Sequence, residues 1–72
     1  MVVPASDVVF VGDVRGSVHL FRQLNFSQST KAQPDCITYM EWSDGQLFVL
    51  SKNANIKMYS IDLELIESVK MP

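Results

Sequence analysis

One cysteine in 72 residues, Cys36, excludes an internal disulfide and any metal site built from several thiolates. One histidine, His19, with no second His, Cys or carboxylate at ligand spacing, reads as an ordinary half-buried strand residue rather than a metal ligand or general base. Basic charge is also scarce: Arg15, Arg22, Lys31, Lys52, Lys57 and Lys70 are scattered against eight acidic residues, for a net charge of −2. Phosphate binding needs a concentrated basic field, so nucleic acid is not an expected partner. No apolar run approaches the eighteen or so residues of a spanning helix. The segment Met1 to Asp7 has no basic start and is interrupted by Pro4, so neither a signal peptide nor a membrane partner is expected. Without a secretory signal, the triplet Asn25-Phe26-Ser27 carries no glycosylation reading.

The familiar binding loops are missing as well. Asp7, Asp13, Asp35, Asp44 and Asp62 fall singly at turns and strand ends, where aspartate bonds its local backbone, and no Asp-x-Asp-x-Asp calcium loop exists. Gly12 to Gly16 lacks the Gly-Lys-Ser/Thr ending of a phosphate loop. No catalytic residues, metal or cofactor are therefore expected. A chain this short hides only about 60% of the surface it exposes when unfolded, so its core is thin.

What the chain does have is a repeat. Val9-Phe10-Val11 reappears as Leu47-Phe48-Val49, and Gly16-Ser17-Val18-His19-Leu20-Phe21 as Ala54-Asn55-Ile56-Lys57-Met58-Tyr59, both at an offset of 38. A period near forty carried by strand-like segments belongs to arrays of β-sheet units. Val8 to Val11 and Leu47 to Leu50 read as strands buried on both sides. Ser17 to Phe21 alternates, with Val18 and Leu20 on one face, and Gln23 to Phe26 reads as a weaker edge strand. From Cys36 to Trp42, Thr38, Met40 and Trp42 share a face, and Ser43-Asp44-Gly45 supplies a strong hairpin turn. Beyond Asp62 the spacing fits helix or strand, and position in the repeat decides for strand. The fold class is all-β, an antiparallel meander. An unrelated β-meander with Asp-Gly hairpins is the competing architecture.

Read as a unit, Ile37 to Tyr59 resembles a WD40 repeat, with Ser43-Asp44-Gly45 after the inner strand, Asn53-Ala54 in the Asp-Gly position and Tyr59-Ser60 in the Trp-Asp position. The earlier unit has Phe21-Arg22 in place of Trp-Asp, so both copies are degenerate. The spacing is also faintly similar to the tandem propellers of the echinoderm microtubule-associated protein-like family. The resemblance implies about one and three-quarter blades of a β-propeller. Residues 1–6 would be an N-terminal tail or the end of a preceding strand, and 7–27 a partial blade holding its last three strands. Residues 28–35 would be a loop, and 36–72 a complete four-stranded blade. It further implies a packed Trp42 and connections gathered on one partner-binding face. Those connections carry Arg15, Lys31, Lys52 and Asn53, the candidate binding residues. Cys36 is expected to be a buried structural thiol.

Less than two blades cannot close a ring, so blade faces need covering by more chain, by copies or by another protein. The expected function is a non-enzymatic protein–protein interaction scaffold within a larger assembly. The expected setting is cytoplasmic, cytoskeletal if the narrower resemblance holds, with a nuclear one also compatible. The alternatives are a free-standing small β-domain that self-associates, or a fragment of a propeller enzyme. For the enzyme the inner strand offers only Glu41, too few carboxylates for paired acid–base work.

Overall fold

The computed structural model describes residues 1–70. Eight strands follow in order: β1 (Val2–Ala5), β2 (Val8–Gly12), β3 (Ser17–Arg22), β4 (Asn25–Lys31), β5 (Ile37–Ser43), β6 (Gln46–Ser51), β7 (Asn55–Tyr59) and β8 (Leu65–Lys70). They form two antiparallel four-stranded meanders, β1-β2-β3-β4 and β5-β6-β7-β8, and the described residues contain no helix. The fold is therefore all-β and antiparallel, with sheets built from sequence neighbours through tight hairpins.

The repeat extends to the strand register. Phe10 pairs with Val3 on one side and Leu20 on the other, and Phe48 pairs with Glu41 and Met58 at the same offset of 38. Even the irregularity recurs, since the third-to-fourth strand pairing shifts at Leu20/Phe21 and again at Met58/Tyr59. The offset becomes 39 in the last strand, where Leu20 faces Gln28 but Met58 faces Glu67. The extra residue sits in the hairpin. Gln23-Leu24, both at positive φ, turns the first sheet in two residues, whereas Ile61-Asp62-Leu63 turns the second in three.

Alternation sorts each sheet into two faces. On the front of the first sheet, Val3, Ala5, Val8, Phe10, Val18 and Leu20 are buried. They pack on the back of the second sheet, which presents Met40, Leu47, Val49 and Tyr59. Phe10 stacks on Trp42 at 5.8 Å between ring centroids, so Trp42 belongs to this core. Gly12 makes the close approach possible, because a Cβ there would lie 2.9 Å from the Met40 Sδ.

Several expectations need correction. Of the two readings for residues 1–6, tail or end of a preceding strand, the strand holds: residues 2–5 are β1, at the edge of the first sheet, where Pro4 lacks the N–H that a middle strand would need. The first unit therefore has four strands, not three. Residues 28–31 are strand rather than loop, because Asn25–Lys31 pairs with β3 along its length despite a polar composition. An edge strand needs only backbone partners and can leave its side chains in water. The loop is reduced to residues 32–36. Thr38 does not share a face with Met40, since a bulge between Ile37 and Tyr39 turns it outward to donate to the Leu50 carbonyl at 3.2 Å. Val8–Val11 and Leu47–Leu50 are buried on one side only, because each sheet has one neighbouring sheet; Val9, Val11, Phe48 and Leu50 are half-buried. Cys36 is likewise half-buried, its thiol 3.6 Å from the Ile37 carbonyl. Met71 and Pro72, the end of the expected second blade, lie outside the described residues.

Candidate interaction site

Three hairpins share one turn design. In the β2–β3 turn the Asp13 carboxylate accepts the backbone N–H groups of Arg15 and Ser17, both at 2.9 Å, and the Gly16 N–H reaches the Asp13 carbonyl at 3.2 Å. In the β6–β7 turn, 38 residues on, the Ser51 hydroxyl accepts from Asn53 at 3.2 Å and Asn55 at 3.3 Å, and Ala54 N–H bonds the Ser51 carbonyl at 3.1 Å. Ser60 repeats the pattern with Asp62 and Glu64, both at 3.2 Å, and with Leu63 N–H on its carbonyl at 3.0 Å. Each is a short acceptor side chain closing a three-residue loop whose last residue takes positive φ: Gly16 at 90°, Ala54 at 63° and Leu63 at 61°.

Two of these turns flank the linker at one end of the sheets. Gln33 is its keystone, 1% exposed. Its backbone N–H bonds the Gly16 carbonyl at 2.9 Å, and its Nε2 donates to the carbonyls of Val49 and Asn55, each at 3.0 Å. Lys52 N–H completes the tie, bonding the Cys36 carbonyl at 3.1 Å. The linker thus joins both sheets and both turns, through its own backbone groups and the Gln33 side-chain amide, to backbone partners. The Gln33 Oε1 and an Asp35 carboxylate oxygen are buried and meet no donor among the described residues.

The four candidate residues lie around this linker. Arg15 and Lys31 come together, with the Lys31 ammonium donating to the Arg15 carbonyl. Lys52 and Asn53 stand on the equivalent turn of the second sheet, Asn53 being the repeat counterpart of Arg15. All four are exposed. Loops tied down at this density present side chains from a fixed backbone. Sequence reasoning missed Gln33, which sits in a polar run ending at Pro34; amide burial leaves no local signature. At the offset of 39 that holds after the extra hairpin residue, its repeat counterpart would be Pro72, outside the described residues.

His19 meets Asp13 through its Nε2, 3.0 Å from the second carboxylate oxygen. That contact, with the N–H of Ser17 next, holds the Asp13 carboxyl well below its ordinary 3.8, at about 2. Asp13 thereby closes the turn with one oxygen and fixes the imidazole with the other. On the second sheet the Glu41 carboxylate accepts the Tyr39 hydroxyl at 2.8 Å and raises that phenol above 10.0. Burial alone raises Tyr59. Among the described residues there is no enclosed pocket and no cluster of three or more His, Cys, Asp or Glu placed to hold a metal. Nor is any helix long and apolar enough to cross a membrane. No protein-family model and no curated protein sequence matches the chain.

Proposed function

We propose that this chain is a segment of a WD40-like propeller that serves as a non-enzymatic scaffold for protein–protein interaction. The observation that carries the reading is the packing of two sheets, equivalent in register at an offset of 38, with the front of one on the back of the next. That relation lets sheet units follow one another around an axis. The linker end, with Arg15, Lys31, Lys52 and Asn53, is the partner-binding surface, and its three cations on an otherwise acidic chain suit the carboxylates of a protein partner. The setting is the cytoplasm, within a cytoskeletal or other multiprotein assembly.

Two variants test this. Charge reversal of the surface, Arg15→Glu with Lys31→Glu and Lys52→Glu, should leave far-UV circular dichroism unchanged and abolish co-purification of the proteins that accompany the wild-type chain. Glu41→Gln should retain those same proteins. A reversal variant that keeps every partner contradicts the assignment of the surface. Turnover of any substrate that collapses by orders of magnitude in Glu41→Gln would instead favour a propeller enzyme.

A further inference from the structure

The two outward faces of this molecule are the counterparts of the two faces already in contact. The front of the second sheet carries Phe48, Leu50, Ile56 and Met58, 38 residues beyond Phe10, Gly12, Val18 and Leu20 of the packed front. The back of the first sheet carries Val2, Pro4, Val9, Val11 and Phe21, 38 residues before Met40, Trp42, Leu47, Val49 and Tyr59 of the packed back. Both outward faces are apolar along their middle strands, with His19 on the back and Glu41 and Glu67 on the front beside them, and both are incompletely covered: Val2 is 65% exposed, and Val69, which pairs with Ile56, is 41% exposed. An exposed front and an exposed back that mirror an existing front-to-back interface define a heterologous contact, one that repeats from molecule to molecule until it closes.

We infer that a second copy of this chain seats the back of its first sheet on the front of this chain's second sheet, so that copies close head-to-tail into a ring holding an even number of sheets. The inference rests on the blade reading above and names the occupant of the open faces. Side-chain sizes fit it. Inside the chain the small Gly12 faces the large Met40; across the new contact the larger Leu50 takes the place of Gly12, and the smaller Val2 of the copy takes that of Met40. The Phe10–Trp42 stack becomes Phe48 against Pro4 of the copy. Glu41, which takes the place of the buried Val3, enters the contact already bonded by the Tyr39 hydroxyl. Propellers close at roughly four to eight sheets, which corresponds to about two to four copies.

Analytical ultracentrifugation of the full chain, of Leu50→Arg on the front and of Val11→Arg on the back tests the geometry. Wild type should sediment as a discrete species of about two to four copies and each variant as a single chain. An equimolar mixture of the variants should give dimers and nothing larger, because it contains one intact front and one intact back. Circular dichroism checks that each variant keeps its sheets, and Met58→Lys with Val9→Lys probe the same two faces if an arginine variant does not. Three results overturn the inference: a single-chain wild type up to about 1 mM, an oligomer that either variant leaves untouched, or a mixture that stays monomeric. A single-chain wild type that retains its partner proteins overturns this inference alone and leaves the scaffold reading standing.

Discussion

Gly16 and Ala54 occupy equivalent places in the repeat, both at positive φ, yet exchanging their residue types should move stability in opposite directions. At Gly16 a Cβ would lie 2.1 Å from the Gln33 carbonyl oxygen and 2.5 Å from that of Asp35. Neither is a side chain that can rotate away. Gly16→Ala therefore displaces the linker, in addition to a left-handed penalty of about 1–2 kcal/mol for a residue with a Cβ. Moving the linker loses the bond from Gln33 N–H to the Gly16 carbonyl, worth about 1 kcal/mol. It also strips the buried Gln33 amide of its two carbonyl partners, which costs about 1–3 kcal/mol. The sum, about 3–6 kcal/mol, is comparable with the whole stability of a domain this size, roughly 4–11 kcal/mol at about 0.05–0.15 kcal/mol per residue. Ala54 already accommodates its methyl group, so Ala54→Gly relieves the same left-handed penalty of about 1–2 kcal/mol and gives back about 0.4–1 kcal/mol in unfolded-chain entropy. Its expected effect lies between no change and a gain of about 1.6 kcal/mol.

Urea titration followed by the fluorescence of Trp42 reads both, because that indole lies between the sheets against Phe10. With a denaturant slope of about 1–3 kcal/mol per molar, Gly16→Ala should lower the midpoint by at least about 1 M. Ala54→Gly should leave the midpoint in place or raise it. The reasoning fails if Gly16→Ala stays within about 1 kcal/mol of wild type, or if Ala54→Gly proves the more damaging of the two.

Two pH dependences follow from the perturbed groups. Asp13 titrates at about 2 in the folded chain against 3.8 unfolded, so between these values the unfolded state binds more protons and stability rises with pH. Its contribution is complete above 3.8 and disappears as pH falls through about 2; urea midpoints across this range should slope in wild type and flatten in Asp13→Asn. Tyr59 has its phenol raised above 10.0 by burial, so its contribution is complete below that pH and lost as pH climbs through the folded value. Alkaline unfolding measured by circular dichroism should set in at higher pH in Tyr59→Phe than in wild type.

The elements that could be read from sequence were those whose apolar alternation or turn chemistry is local. Val18 and Leu20 do face the core, Asp44-Gly45 does make the tight hairpin, both at positive φ, and Leu65–Lys70 is strand. The misreadings share a different cause. Asn25–Lys31 is an edge strand written almost wholly in polar residues, so its only strand signal is the backbone partner that β3 offers. Gln33 is buried by contacts with carbonyls 16 and 22 residues away, which no local window contains. The site residues illustrate the same division. Arg15, Lys52 and Asn53 could be placed on turns from the repeat, but that Lys31 reaches the Arg15 carbonyl depends on how far β4 extends.

One misreading bears directly on the proposed assembly. Val8–Val11 and Leu47–Leu50 have the near-continuous apolar character of strands covered on both faces, yet each is covered on one. At about 25 cal/mol per Å² the uncovered faces forgo stabilisation that this composition could supply. Selection for solubility alone would have placed polar residues at Val9, Val11, Phe48 and Leu50, as it did along most of β4, where Ser29 and Lys31 share the outward face with Phe26. In the first sheet the contrast is between a polar outer strand and middle strands made for burial, whereas β8 of the second sheet exposes Leu65, Ile66 and Val69. The contrast in the first sheet therefore reflects where contact is needed rather than the composition of the chain as a whole. A head-to-tail neighbour covers the middle strands of both sheets and leaves β4 wet, which matches the gradient the first sheet carries.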